Sequence, residues 1–156
     1  ARIEKEGVPN LYKVNDHFYR SAQPTKEGMK KLKAMGIKTV INLRFFHNER
    51  ELVESSGMEY EQIEVLTWDP KEEQAIRFLE VVTDPNRQPV LLHCKQGADR
   101  TGTLTAVYRV AVEGWSKEQA IEEMTTGGYH YHSFWSNLPE WIAKLDIENI
   151  KHQAGI

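Results

Sequence analysis

The chain has a single cysteine, Cys94. An intrachain disulfide is therefore excluded, and so is a four-cysteine zinc site. A lone thiol says nothing about redox compartment. Long hydrophobic runs are missing as well. The longest, Pro89-Val90-Leu91-Leu92, has the length of a strand, far short of the roughly 18–20 residues of a membrane helix. Neither sign of charge is in large excess. The 20 Lys and Arg against 23 Asp and Glu give −3, without the clustered basic surplus that nucleic-acid binding needs. Internal repeats, low-complexity tracts and long linkers are lacking. No secretory leader is visible, although a cleaved one would leave no trace in a chain that starts within globular-looking sequence. The 156 residues, 40% hydrophobic and 28% charged, suit one folded domain over 1–156.

Two periodicities alternate along that domain. Phe18-Tyr19-Arg20 reads as a short strand, and Thr25 as the N-cap of a helix carrying Met29, Leu32 and Met35 up to Gly36. Thr39–Leu43 is a β-rich run. A polar helix is expected over Asn48–Ser55, a strand over Met58–Val65, and a helix with Ile76, Leu79 and Val82 on one face, stopped by Pro85. Val90–His93 is a buried strand that runs through a glycine-containing turn into a helix with Leu104, Val107, Tyr108 and Ala111. Ser116 and Gln119 form a capping box for the next helix, which fails at Gly127-Gly128, and a last helix carries Leu138, Trp141, Ile142 and Leu145. This alternation predicts an α/β fold with a mainly parallel sheet, flanked by helices on both faces. Ligands of such sheets lie beyond the carboxyl ends of the strands.

The turn at that edge reads His93-Cys94-Lys95-Gln96-Gly97-Ala98-Asp99-Arg100-Thr101-Gly102, with five residues between Cys94 and Arg100. A strand ends and a helix begins, so unpaired backbone N–H groups converge and the helix dipole favours an anion. Gly97 permits a tight turn, and successive N–H groups from Lys95 to Arg100 make an anion nest. Arg100 offers a planar fork matched to two phosphate oxygens. Helix N-termini and nearby cations favour the thiolate form of a cysteine. A thiolate beneath a bound phosphate is a nucleophile aimed at phosphorus. The alternative, a small buried hydrophobe beside an ordinary turn and a surface arginine, explains each residue singly but not their conjunction.

His-Cys-x5-Arg-Thr-Gly resembles the signature of the cysteine-dependent protein tyrosine phosphatases, and the compact size resembles their dual-specificity branch. Leu11-Tyr12, Phe18–Pro24, Lys38–Arg44, Ala106–Arg109, Gly114–Lys117, Glu122–Met124 and Gly127-Gly128 are similar to segments of small bacterial and atypical members. The resemblance implies the fold of that family and a two-step reaction through a phosphocysteine, with no cofactor and no metal. Cys94 maps to the nucleophile and Arg100 to the phosphate clamp. Thr101 matches the hydroxyl that bonds the sulfur and eases its departure. His93 matches the histidine that keeps the cysteine ionised, acting indirectly because neighbouring strand residues point to opposite faces.

The general acid has two candidates. Trp68-Asp69-Pro70 lies 25 residues before Cys94 and resembles the family's Trp-Pro-Asp loop with the last two residues exchanged. Asp99, beside Arg100, resembles the aspartate that precedes the arginine in myotubularin-type lipid phosphatases. Asp69 is favoured. Lys95 adds positive charge at the mouth. Arg44, at the end of its strand, either shapes the pocket or is a solvent-exposed strand end. His130, Tyr131, His132, Phe134 and Trp135 invite a metal reading, but packing and a pocket rim fit better because no acidic or cysteine ligand stands at metal spacing. The implied function is hydrolysis of phosphate monoesters on a phosphorylated protein or small ester, phosphotyrosine first. A phosphoinositide or inositol-polyphosphate phosphatase is the alternative, and a weakly active phosphate-binding module the second. The expected form is a soluble monomer, cytoplasmic or exported.

Overall fold

The computed structural model describes residues 1–156. Six strands form one sheet: β1 (Arg2–Ile3), β2 (Leu11–Asn15), β3 (Phe18–Ser21), β4 (Thr39–Asn42), β5 (Glu59–Gln62) and β6 (Val90–His93). The spatial order is β1-β2-β3-β6-β4-β5. The first three strands pair antiparallel, whereas β3, β6, β4 and β5 are parallel. Ser21 and Asn42 flank His93 in register, so β3, β6 and β4 end level with one another. The functional loop leaves the sheet from that common edge.

Alternation along β6 divides the core. Val90 and Leu92 join a cluster with residues of α3 (Glu72–Val82), α4 (Asp99–Ala111) and α7 (Ile147–Ala154). Leu91 faces the opposite way, onto α1 (Lys26–Ala34) and α2 (Arg50–Ser55). Both faces of the sheet are thus covered, which is why its central strand is apolar at consecutive positions. A third cluster packs α4 against α5 (Lys117–Thr126) and α6 (Asn137–Lys144). α4 is buried on nearly every side. Its Thr103 and Thr105 hydroxyls therefore donate to the carbonyls of Asp99 and Thr101, each at 2.7 Å. No helix is long and apolar enough to cross a membrane.

Two expected caps are present. Thr25 Oγ1 accepts from the Gly28 N–H at 3.0 Å, and Ser116 and Gln119 satisfy each other's backbone N–H groups, both at 3.1 Å. Elsewhere the elements differ from the sequence expectation. The strand expected over Met58–Val65 is regular only at Glu59–Gln62, although Ile63 and Val65 still donate to Asn42 and Leu43. The expected last helix is two. α6 ends at Lys144, Leu145 is extended at ψ 140°, and Asp146 caps α7 by accepting from the Asn149 N–H at 3.1 Å. The Lys117 ammonium donates to the freed carbonyls of Ala143 and Leu145, at 3.0 and 2.6 Å. Leu145 keeps its place in the core while the chain turns. The β1–β2 edge was also outside the expectation, because its half-buried residues show neither periodicity clearly.

Candidate active site

β6 ends at His93, and α4 starts at Asp99 after a turn of five residues. Gly97 adopts φ +74°, a conformation that side chains with a Cβ disfavour. The turn is held from outside. Carbonyls of Lys95, Gln96 and Gly97 accept from the Gln23 N–H at 3.0 Å, the Asn10 amide at 3.1 Å and the Arg20 guanidinium at 2.9 Å. In a trans peptide the next N–H points away from such a carbonyl, so the N–H groups line the opposite face. The N–H of Gly97 donates to the Cys94 Sγ at 3.3 Å, and the Thr101 hydroxyl donates to the same sulfur at 3.0 Å. Cys94 is only 3% exposed.

Arg20 is the largest fully buried side chain. Its guanidinium lies 3.8 Å from the ring centroid of Tyr129, a cation–π contact that offsets part of the desolvation cost. Burial pushes its pKa down to about 10, partly opposed by the fields of Tyr129 and Cys94. The sequence marks Arg20 only as a strand residue and as part of a resemblance. An arginine in a short apolar strand was the available signal.

His93 faces away from the sulfur, as strand alternation requires. Its Nδ1 lies 3.0 Å from the Cys94 carbonyl oxygen, and its Nε2 contacts the Glu49 carboxylate. Glu49 also accepts from the Gln23 amide at 2.6 Å. Burial raises the Glu49 pKa, but the His93 and Gln23 hydrogen bonds and the His93 charge outweigh it, and the net shift is downward. A depressed carboxyl pKa stabilises the fold above its unfolded value and loses that contribution as pH falls through the folded one. Glu49→Gln should therefore lower stability by about 1–2 kcal/mol at pH 7. The difference from the parent should shrink below about pH 4.5, the ordinary value for this carboxyl. Urea unfolding of both proteins at pH 7 and pH 3.5 measures it.

Cys94 opens onto a cavity of about 280 Å³ whose wall includes Lys95, Gln96, Asp99, Arg100, His132 and Trp135. Arg100 reaches toward the Val65 carbonyl at 3.5 Å. Trp135 stacks with the exposed Trp68, ring centroids 6.4 Å apart. Ala98 is buried beneath the turn. Two candidates stand apart from this cavity. Asp69 lies outside the lining and pairs with Lys71 at 3.0 Å. Arg44 also lies outside it, its guanidinium donating to Gln23 Oε1 at 3.0 Å. His132 comes forward instead. Its backbone N–H donates to Asp99 Oδ1 at 2.9 Å, and its Nδ1 lies 2.7 Å from Asp99 Oδ2.

A buried thiol under a backbone N–H and a threonine hydroxyl, at the head of a helix that leaves a parallel sheet, is the site architecture of cysteine-based phosphatases. The chain belongs to that class: residues 5–134 match the family described as DSP-PTPase phosphatase fused to NAD+ kinase. Its sequence is 27% identical over 143 residues to the dual specificity protein phosphatase TpbA of Pseudomonas aeruginosa, strain UCBPP-PA14. The match covers 91% of this chain and 65% of that protein's length. The crystal structure of a cysteine-to-serine variant of P. aeruginosa TpbA in complex with pTyr superposes with a TM-score of 0.82 at 26% identity, covering 94% of this chain and 90% of the other. The core catalytic domain of the PP-IP phosphatase SIW14 from S. cerevisiae shares the fold, with a TM-score of 0.79 at 23% identity over 94% of this chain and 92% of that one.

Proposed function

We propose that the chain hydrolyses phosphate monoesters through a phosphocysteine, with phosphotyrosine as its preferred substrate. The observation that carries this reading is the pair of donors at 3.3 and 3.0 Å on one buried thiol at the start of α4. Both stabilise a thiolate, the nucleophilic form. The N–H face of the turn and the Arg100 fork hold the phosphate oxygens, and Lys95 adds charge at the mouth. The sulfur attacks phosphorus as the bond to the leaving oxygen breaks and that oxygen takes a proton. Water then attacks the phosphocysteine, the S–P bond breaks, and the Thr101 hydroxyl receives the returning thiolate. His93 acts from behind, fixed between Glu49 and the Cys94 carbonyl.

The reading places protonation of the leaving oxygen at Asp99 and the group it holds. Asp99 lines the cavity with Cys94, whereas Asp69 is engaged by Lys71 outside it. The indole wall of Trp135, backed by Trp68, suits a flat aryl ester. TpbA, crystallised with pTyr, supports the same choice.

One panel of substrates tests the assignment: a phosphotyrosine peptide, a phosphoserine peptide and inositol hexakisphosphate at one pH and ionic strength. The phosphotyrosine peptide should lead in kcat/KM by about tenfold or more, a margin of about 1.4 kcal/mol in transition-state binding. Faster turnover of the inositol phosphate would replace the substrate class while leaving the cysteine chemistry in place.

A further inference from the structure

Asp99 is the only carboxylate in the cavity lining, yet both of its oxygens face donor atoms of His132. The imidazole of His132 is about half exposed and lines the cavity with Cys94 and Arg100, whereas the Asp99 side chain is 13% exposed. The segment carrying His132 joins α5 to α6 and is fixed at several points. Tyr129 lies under the Arg20 guanidinium, and its carbonyl accepts from the Asn10 amide at 3.3 Å. The Tyr131 hydroxyl donates to the Trp135 carbonyl, and the Trp135 N–H to the His132 carbonyl at 3.0 Å. A ring held by its backbone and by Nδ1 has a defined orientation, and Nε2 makes no hydrogen bond within the protein.

We propose that His132 is the proton donor of the reaction, with Asp99 as the positioning residue that fixes its tautomer. The inference deepens the phosphocysteine reading and rests on it. In the first step the S–P bond forms, the ester P–O bond breaks, and the proton on Nε2 passes to the leaving oxygen. The ring becomes neutral and keeps its Nδ1–H on the Asp99 carboxylate. In the second step Nε2 takes a proton from the attacking water as the S–P bond breaks, which restores the imidazolium, the thiolate and inorganic phosphate. A carboxylate that orients and stabilises an imidazolium through Nδ1–H is sound chemistry for an acid–base histidine.

The test uses His132→Asn and His132→Gln with two substrates, phenyl phosphate and 2,4-dinitrophenyl phosphate. The asparagine amide can still donate to Asp99 from the Nδ1 side but has no proton to give. A poor leaving group needs its proton in the transition state and a good one does not. Both variants should lose about 10²–10⁴-fold in kcat/KM on phenyl phosphate and less than about tenfold on the dinitrophenyl ester. Asp99→Asn should show the same dependence on leaving group, more weakly. Iodoacetate alkylation of Cys94 and thermal unfolding, run on every variant, separate a misfolded loop from a missing proton. His132→Asn within threefold of the parent on phenyl phosphate would overturn the proposal and return the proton to Asp99. Equal losses on both esters would overturn it too, leaving His132 a purely structural role. Failure of the cysteine reading looks different: turnover would then survive Cys94→Ser, whatever His132 does.

Discussion

Cys94→Ser should abolish turnover, by at least about 10⁴-fold in kcat, while binding of phosphate esters persists. On the proposed mechanism one turn has two functions. On that mechanism binding resides in the N–H face of residues 95–100 and in Arg100, where the substitution alters only the acceptor of the Gly97 N–H. That face is set by carbonyl bonds from Asn10, Arg20 and Gln23 on the outside of the turn, and those remain. Attack, on the same mechanism, resides in the sulfur. A serine hydroxyl in the same place must lose its proton before it can act, and no base stands at hydrogen-bond distance from Sγ. Its neighbours there, the Gly97 N–H and the Thr101 hydroxyl, are donors. Isothermal titration with a phosphotyrosine peptide should give the variant a Kd near the KM of the parent, with no phosphate released over hours. Turnover near the parental rate would remove the phosphocysteine. The same thiolate should make the parent sensitive to peroxide, reversibly at first through the sulfenic acid. Inorganic phosphate, occupying the nest, should slow that inactivation.

What the sequence made legible follows the range of the interactions involved. The turn from His93 to Gly102 was readable because its parts are neighbours in the chain. An apolar strand, a glycine at positive φ and a helix start need no distant partner to declare themselves, and the family signature adds the arginine. The caps at Thr25 and Ser116 were readable for the same reason. The contact between Asp99 and His132 was not. Asp69 drew attention through a resemblance between tripeptides, whereas the structure puts Asp99 on the cavity and joins it to His132, 33 residues away. No periodicity in a single sequence records that contact. In the sequence His132 and Trp135 stand in an aromatic–histidine cluster that packing explains first. Glu49, which meets His93 across 44 residues, lies in the polar stretch Asn48–Ser55, which the sequence marks only as a helix. The break at Leu145 was hidden by its hydrophobic side chain, which continues the helical spacing of Leu138 and Trp141. Only the extended backbone there, and the Lys117 contacts, show that the helix has stopped.

Gly97→Ala should cost about 10²-fold or more in activity, although it removes no reactive atom. An added Cβ would stand 2.5 Å from the Ser21 carbonyl carbon and 2.6 Å from the Ala22 nitrogen. Both are backbone atoms at the end of β3, tied into the sheet, so they cannot give way as a flexible side chain would. The residue would also have to hold φ +74°, which costs about 1–2 kcal/mol outside glycine. The turn must therefore move, and three contacts move with it: the Gly97 N–H on Sγ, the Gly97 carbonyl on Arg20 and the Gln96 carbonyl on Asn10. A misplacement of about 1 Å in a positioned site costs about 10²-fold in rate, and here nucleophile and phosphate nest shift together. Gly36→Ala is the matching control. Its φ of +97° carries a similar backbone strain, but a Cβ there meets nothing within 4 Å. It should lower the midpoint of thermal unfolding while leaving kcat/KM unchanged. Gly97→Ala should lower both, with kcat/KM on phosphotyrosine falling by about 10²-fold or more and phosphate no longer protecting Cys94 from iodoacetate. If Gly97→Ala stays within threefold of the parent in kcat/KM, the close approach of the turn to β3 is not what holds the nest in shape.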